Sequence, residues 1–501
     1  MSDDIDPRLR AVCDMSVDAV RSWAGRHEYD GVIQDVSPDG VRSGLTRLGG
    51  PSLDDPLDER HLAAFEADLR ATFATAGMHR WNPLVHLGNL DLTSYERTYA
   101  PDDVRREARR RHLAAWPDAV DMALESLTET PAPVAEALLP AVRGLAADLD
   151  PVVDAAAIAA HARLVDRVEV LSTTGRPDVA VGPTVLAELM GAADAVDVDL
   201  GDLTRRGEAE RDRLQEMLRD ACARVDPSVP VRELVTRLVH DHPDAEGVLS
   251  EAQLQVEEVV AFTREHDLVP YHDGECLVGP APEALRMAMA MMAAGGPYEE
   301  DAPAWYWVTP PDGSWPHDEQ EEWLQVFSAT TLPVITVHEV SPGHFAHARA
   351  LRRATSDVTR TLQGYAFTEG WAHYCEEMVI EVGFRADDPR YRVGMAIEGL
   401  TRVVRLLSAL GVHTGALTLD EATAMFERDA FLAGPAARAE ARRAAYDPGY
   451  GRYTWGKLEI LALRERARAQ WGQGFSLPRF HAALLSLGAP PIGLIDAALE
   501  R

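Results

Sequence analysis

A Pro-Gly pair between two histidines is the strongest constraint that this sequence places on its own folding. Residues 338–344 read HEVSPGH, so His338 and His344 stand six positions apart. In a regular helix a six-residue step turns by about 240° and rises about 9 Å, which would keep the two imidazoles apart. Pro342 lacks a backbone donor and Gly343 adopts conformations that other residues avoid, so the pair favours a bulge or a break. We therefore expect residues 341–343 to loop out and to return His344 toward His338.

A carboxylate follows on a second segment with helical spacing. Glu369 lies 25 residues after His344, and Trp371 belongs to an apolar face of the same segment. Two imidazoles and one carboxylate are the ligand set of a catalytic zinc ion that keeps one coordination position open. We therefore predict that His338, His344 and Glu369 bind Zn²⁺, and that Glu339 is the general base.

The two histidines also have a simpler interpretation. His338 and His344 could be ordinary polar residues beside a helix-ending turn, because short motifs produce false matches. The preceding residues argue against this, since Val334, Ile335 and Val337 form an apolar run. A histidine at the end of a buried helix needs partners or a metal.

Several sequence blocks resemble one bacterial family. Residues 369–374 read EGWAHY, and together with residues 338–344 they match the motifs HExxPGH and EGWAxY of the family known as domain of unknown function 885. Residues 259–270, 405–413 and 448–459 resemble further blocks of that family, so the resemblance covers roughly residues 255–470. The family is grouped with the zincin (gluzincin) metallopeptidases. The resemblance implies a mainly α, zincin-like fold, with a small mixed sheet and a large helical lobe flanking a deep cleft.

Three residues outside the ligand set are candidates for contacts with the substrate. His413 lies in the stretch 411–415, which reads as a turn, and Tyr453 follows a Pro-Gly pair; matching to the family favours both as stabilisers of a developing oxyanion. The alternatives are a capping histidine and a half-buried tyrosine. Arg405 is a weaker candidate for substrate binding, because it could equally line a helix face.

One aromatic segment predicts a strand ahead of the metal motif. Trp305, Tyr306 and Trp307 lie in a β-branched and aromatic stretch between prolines, about thirty residues before His338. An edge strand at this place could bind an extended peptide by main-chain pairing, which makes these three residues candidates for substrate binding. The alternative is an aromatic strand that covers the core.

Charge and the N-terminal sequence restrict the partners. The formal net charge of −32 argues against nucleic acid, because phosphate binding depends on clustered Lys and Arg. The chain starts with an acidic stretch, Met1–Asp4, that lacks the features of a signal peptide, and no apolar run is long enough to span a membrane. We therefore expect a cytoplasmic protein that does not contact membranes.

Together these patterns predict a zinc-dependent hydrolase. We expect a mostly helical N-terminal lobe at residues 1–280 and a zincin-like catalytic lobe at residues 281–501. The substrate would be a short peptide or a small amide, attacked by a metal-activated water with Glu339 as base. Two alternatives remain open: a metal-dependent amidohydrolase or lyase with a non-peptide substrate, and a non-catalytic binding protein on the same scaffold.

Overall fold

The computed structural model describes residues 5–282, 285, 289–299 and 301–501. Over these residues the protein is mainly helical, with one small sheet. The strands are β1 (Cys276–Gly279), β2 (Ala290–Ala293) and β3 (Ala304–Val308). The α-helices are α1 (Pro7–Asp14), α2 (Val17–Ala19), α3 (Pro38–Arg47), α4 (Pro56–Arg70), α5 (Met78–Trp81), α6 (Leu84–Leu87), α7 (Asp102–Ser126), α8 (Ala132–Gly144), α9 (Ala155–Thr174), α10 (Pro183–Asp194), α11 (Leu200–Val225), α12 (Val231–Val239), α13 (Val248–Glu265), α14 (His317–Leu324), α15 (Leu332–Glu339), α16 (His344–Leu351), α17 (Asp357–Thr361), α18 (Tyr365–Val382), α19 (Pro389–Thr414), α20 (Leu419–Asp429), α21 (Gly434–Tyr446), α22 (Arg452–Trp471) and α23 (Leu477–Leu485). Short π-helical segments are Val20–Ala24 and Ala71–Thr75, and 3₁₀ segments are His27–Tyr29, Gly88–Leu90, Thr93–Glu96, Gln325–Phe327, Gly472–Gly474 and Ile492–Glu500.

Local side chains fix where several helices begin. The carboxylate of Asp55 accepts hydrogen bonds from the backbone N–H groups of Leu57 and Asp58 at the start of α4. α20 begins with a capping box, in which Thr418 and Glu421 each accept from the other's backbone N–H. These bonds satisfy donors that the first helical turn leaves without a partner.

The long helix α19 lies at the centre of the largest apolar core. α11 packs along it, and α15, α18, α21 and α22 contact it as well. The buried side chains of this core run from Leu186 to Ala498 in the sequence. The core therefore crosses residue 280, while the division into lobes at residues 1–280 and 281–501 stays a prediction.

Two glycines let α18 and α22 approach closely. A Cβ atom at Gly456 would lie 1.8 Å from the carbonyl oxygen of Ala366, and one at Gly370 would lie 2.5 Å from the carbonyl carbon of Gly456. Such distances leave no room for any side chain at either position. Gly370, the glycine of the EGWA motif, therefore has a packing role. It allows α18, which carries Glu369, to contact α22 directly.

The aromatic strand is central in its sheet, which corrects the expectation of an edge strand. The strand order is β1-β3-β2, with β1 parallel and β2 antiparallel to β3. β3 therefore has partners on both sides, and its main chain is not free to pair with a peptide. Tyr306 is fully buried, and its hydroxyl lies 3.3 Å from Oγ1 of Thr336 on α15. This strand holds α15 against the sheet, as the core-strand alternative expected.

The predicted class, mainly α with a small mixed sheet, is confirmed. The acidic start of the chain, Met1–Asp4, lies outside the described residues. Among the helices that the structure describes, none combines the length and the apolar character needed to cross a membrane.

Candidate metal centre

The helix that carries His338 is interrupted before His344. α15 ends at Glu339 and α16 starts at His344. The backbone N–H of Gly343 donates to the carbonyl oxygen of Val337 at 3.2 Å, which folds the connection back on α15. A Cβ atom at Gly343 would lie 1.9 Å from the carbonyl oxygen of His338, so only glycine fits there. Trp371 of α18 donates from Nε1 to the carbonyl oxygen of Pro342 at 2.9 Å, which ties the loop to the second helix of the site.

The interruption brings the two imidazoles onto one carboxylate. Nε2 of His338 and Nε2 of His344 each lie 3.5 Å from Oε2 of Glu369. This separation is long for a hydrogen bond, which usually spans 2.7–3.2 Å. It equals the spacing of two ligands on a tetrahedral zinc ion, which is about 3.3–3.6 Å for bonds of 2.0–2.2 Å. Glu369 therefore lies from each imidazole at the spacing expected of two ligands of one Zn²⁺ ion.

Glu339 adjoins the same cluster. One ligand atom each from His338, Glu339 and His344 lie within 4.8 Å of one another. Oε2 of Glu339 accepts a hydrogen bond from the backbone N–H of Met292 on β2 at 2.8 Å. Of the two carboxylates, Glu369 lies at ligand spacing from both imidazoles, while Oε2 of Glu339 accepts the backbone N–H of Met292.

A second carboxylate, that of Glu376, contacts the ring nitrogen of His338 that faces away from Glu369. Oε1 of Glu376 lies 2.7 Å from Nδ1 of His338, and its Oε2 lies 2.9 Å from Nδ1 of His373 and 3.1 Å from the guanidinium of Arg402. Glu376 is fully buried. A carboxylate on the second ring nitrogen orients a metal-binding histidine and makes it more basic.

Glu376 and Arg402 were not predicted from the sequence as site residues. One pattern could have revealed the first, because Glu376 follows Glu369 by seven residues, or about two helical turns, and so lies on the same face of α18. Arg402 comes from α19, and its position relative to α18 depends on packing. No local sequence pattern predicts the contact between Glu376 and Arg402.

The electrostatics of the cluster favour a cation. Burial acts to raise the pKa of Glu369, but the charges of His344 and His338 hold it well below the usual range. Burial and Arg402 act to lower the pKa of His338, but its contacts with the carboxylates of Glu369 and Glu376 raise it to about 9. The raised pKa of His338 reflects the negative potential that the two carboxylates create at this imidazole. Such a potential stabilises positive charge between these side chains.

Tyr453 lies beside the cluster in a pair with Tyr365. The two hydroxyls share a hydrogen bond of 2.8 Å. Burial and the nearby charge of Glu369 raise the pKa of both tyrosines. Arg405 stacks on Tyr453 at 5.6 Å and pairs with Glu440 through two hydrogen bonds of 2.8 Å. Arg405 therefore contacts Tyr453 and Glu440, while Tyr365, which the sequence analysis did not single out, lines the cleft itself.

His413 is not brought to the cluster. It lies in the last turn of α19 and is fully buried, so the expected turn at residues 411–415 starts only at Gly415. Burial lowers the pKa of His413 to about 4. It stands eleven residues after Arg402, which corresponds to about 16 Å along the helix.

A cleft of about 330 Å³ opens in front of His344 and Glu369. Of the three aromatic candidates on β3, Trp307 lines this cleft, Tyr306 is in the core, and Trp305 packs over Gly279. The other lining residues come from two distant parts of the chain. They are Asp18, Ser22, Trp23, Asp91, Thr93, Ser94, Arg97, Leu285, Met291, Met292, Ala293, Ala294, Gly295, Gly296, Pro297, His347, Ala348, Leu351, Gln363, Tyr365 and Thr368.

The chain belongs to the family described as "Bacterial protein of unknown function (DUF885)", whose model matches residues 24–499. The family resemblance inferred from the motifs is thereby confirmed, and it extends through the N-terminal half. A comparison with curated proteins finds no match.

Two solved structures share this fold over nearly their whole length. One is from Shewanella oneidensis, with a TM-score of 0.78, 20% identity, and coverage of 98% of each chain. The other is from Colwellia psychrerythraea, with a TM-score of 0.78, 17% identity, and coverage of 99% of each chain. Both are described as a "putative lipoprotein". That description contradicts the cytoplasmic location predicted from the N-terminal sequence, so this prediction was wrong.

Proposed function

We propose that this chain is a zinc-dependent hydrolase with a zincin-like fold that cleaves peptide or amide bonds of short substrates. The observation that carries the proposal is the placement of Glu369 Oε2 at 3.5 Å from both imidazole Nε2 atoms, with Glu339 beside them. His338, His344 and Glu369 would hold the metal. Zinc bound there supplies a Lewis acid and lowers the pKa of a water molecule toward about 7.

Glu339 is placed to move a proton. Its Oε2 is held by the backbone N–H of Met292, which leaves Oε1 to accept a proton from the attacking water. The same oxygen can then donate that proton to the leaving nitrogen of the cleaved bond. The hydrogen bond to β2 keeps the carboxylate beside the two imidazoles.

Glu376 keeps His338 in one orientation. Its hydrogen bond to Nδ1 leaves Nε2 of His338 facing Glu369 as an electron-pair donor. Arg402 and His373 hold the other carboxylate oxygen, so Glu376 cannot rotate without breaking two contacts.

The tyrosine pair can stabilise negative charge on the substrate. Tyr365 and Tyr453 have two hydroxyl protons, and their mutual hydrogen bond uses one. Tyr365 is the donor in this bond, so the hydroxyl proton of Tyr453 remains for the oxygen of a carbonyl group under attack. Burial and the charge of Glu369 keep both phenols protonated, as this role requires.

The free edge of β2 favours a peptide over a compact amide. In the antiparallel pair with β3, the N–H of Met292 points away from β3 toward Glu339, so the carbonyl of Met292 and the main chain of Ala290 and Ala294 point the same way. Among the described strands, none pairs with this edge. An extended peptide would add to the main-chain groups of this edge that Glu339 leaves free, so β2 takes the role expected of the strand with Trp305, Tyr306 and Trp307.

Elemental analysis and peptide cleavage test the proposal together. Purified full-length protein should contain close to one zinc per chain and should cleave members of a mixture of short peptides, followed by mass spectrometry. A chelator should abolish cleavage, and added zinc should restore it. The proposal fails if the protein takes up no transition metal, or if cleavage continues after the metal has been removed.

A further inference from the structure

Two short N-terminal segments form a part of the cleft wall that the hydrolysis described above does not use. Residues 18–23 and 91–97 supply its lining side chains, which are Asp18, Ser22, Trp23, Asp91, Thr93, Ser94 and Arg97. We call this surface the N-terminal wall. It lines the same cleft as His344 and Glu369, so a substrate bound at the metal centre would also meet it.

Among the described residues, the two carboxylates of this wall contact one cation, the guanidinium of Arg21. Oδ1 of Asp18 accepts from the guanidinium of Arg21 at 3.2 Å and from the hydroxyl of Ser22 at 3.3 Å. Its Oδ2 has no hydrogen-bond partner among the described residues. Within the part of the chain that the structure describes, Asp91 accepts from the backbone N–H and the hydroxyl of Thr93, at 2.8 and 2.9 Å, and from no other group. The cleft therefore carries an excess negative charge here, with acceptor capacity to spare.

A buried hydroxyl beside the carboxylates points to a ligand. Ser94 is 3% exposed and lines the cleft, yet its Oγ has no partner within the described part of the chain. A buried polar atom without a partner costs free energy unless a ligand or water satisfies it. Its lone pairs add a third acceptor to the two carboxylates.

Arg97, the cation of this wall, is already neutralised. Its guanidinium donates to Oε1 of Glu299 at 2.9 Å and to the carbonyl oxygen of Ser22. Glu299 is buried and also contacts His27 at 2.8 Å. Arg97 therefore adds little positive potential to the cleft. The electrostatic potential at this wall is negative because the carboxylates of Asp18 and Asp91 outweigh it.

We propose that Asp18, Asp91 and Ser94 bind a primary ammonium group of the substrate. An ammonium has three donors and no acceptor, which matches one hydroxyl and two carboxylates with spare lone pairs. The group would be the N-terminal amine of a short peptide or the amine of a lysine side chain. The inference rests on the proposed function for the cleavage step, but the binding site itself can be measured without turnover.

The electrostatics of the wall agree with this assignment. Burial and the neighbouring charge of Asp91 raise the pKa of Asp18 above its usual range. Two carboxylates that repel each other in this way are relieved by a cation between them.

Calorimetry on the zinc-loaded, full-length Glu339→Gln protein tests the site without cleavage. The probes are trialanine, its N-acetyl form, its C-terminal amide, and N-acetyl-Lys-Ala-Ala. We expect N-acetylation to weaken binding of trialanine by about tenfold or more, as for loss of a hydrogen bond to a charged group, and amidation to change it little. Recovery of affinity with the lysine peptide would show that a side-chain amine reaches the site, and no recovery would assign it to the N-terminus.

Variants of the two aspartates test whether they bind the ammonium group. Asp18→Asn and Asp91→Asn, each added to Glu339→Gln, should lower the affinity for trialanine to that of its N-acetyl form. The matched control is Asp220→Asn, an exposed aspartate on α11, which should change nothing. Asp18→Asn keeps the test valid if loss of the Thr93 contacts prevents Asp91→Asn from folding.

Three results would overturn the inference: equal affinity for the free and N-acetylated peptides, loss of affinity on amidation instead, which would point to Arg97, or no binding of any probe. If the probes bind as expected but the wild-type protein cleaves no peptide, the ammonium site stands and the proposed hydrolase function fails.

Discussion

The cleft has two walls that are built in different ways. The wall with the candidate metal centre takes its side chains from residues 338–376, on the helices α15, α16 and α18. Glu376 holds His338 there, and the backbone of β2 holds Glu339. The N-terminal wall takes its side chains from short helical turns around residues 18–23 and 91–97. The difference separates two tasks, because rigid helices hold reacting groups in place while short surface segments can change without disturbing them. We therefore expect mutations in the first wall to affect metal and chemistry, and mutations in the second to affect substrate choice.

Removal of a proposed metal ligand should have the largest effect, which is a loss of zinc affinity. His344→Ala and Glu369→Gln should each reduce zinc affinity by more than the about 10–100-fold that accompanies loss of an outer hydrogen-bond partner. Elemental analysis and chelator competition measure this. His240→Ala, at an exposed histidine outside the cleft, is the control. Full zinc retention in Glu369→Gln would move the third ligand to Glu339.

Glu339→Gln should separate chemistry from metal binding. The amide keeps the size of the side chain but cannot take a proton, so zinc content should persist while hydrolysis falls by at least about 10²-fold. Parallel zinc analysis and peptide cleavage compare it with Glu369→Gln, which changes the other carboxylate of the cluster in the same way. Unchanged turnover would remove Glu339 as the base.

Glu376→Gln should lower zinc affinity indirectly, through the positioning of His338. The amide cannot match the hydrogen bonds of a carboxylate to His338 and His373, so zinc affinity should fall by about 10–100-fold. Glu381→Gln on the same helix is the control, because Glu381 is 40% exposed and pairs with Arg464. Equal zinc affinities in the two variants would show that Glu376 does not position His338.

Gly456→Ala should give the smallest effect, and it should act through packing alone. The added methyl group would collide with the carbonyl oxygen of Ala366, so the free energy of unfolding should fall by about 1–3 kcal/mol. Denaturant unfolding measures this. Gly144→Ala, at an exposed helical glycine with open space around it, should leave stability unchanged or slightly raised. An equal response of both variants would contradict the close helix contact.

The sequence was most informative where the chemistry is local. The pair Pro342-Gly343 favours a break in a helix, and the structure interrupts α15 there, so the return of His344 toward His338 was expected from local backbone preferences. Glu369 could be added to the candidate ligands His338 and His344 because it lies in a short motif with helical spacing. Whether these residues bind zinc stays a prediction, and the meeting of Glu369 on α18 with the two histidines depends on how the helices pack.

Other expectations failed because they depended on neighbours. Residues 304–308 form a strand as their composition predicts, yet its place between β1 and β2 is set by segments that are not adjacent in sequence. His413 reads as a polar residue near a turn, but α19 continues to Thr414 and buries it.

The sequence by itself determined the helical class, the broken helix and the set of candidate ligands, because each follows from the periodicity and backbone preferences of a few adjacent residues. Only the tertiary structure decided which strand edge is free, that Glu376 and Arg402 support His338, and that Asp18, Asp91 and Ser94 share the cleft with the metal centre. These relations join residues up to several hundred positions apart. Their distances are set by the packing of whole helices, which no local pattern encodes.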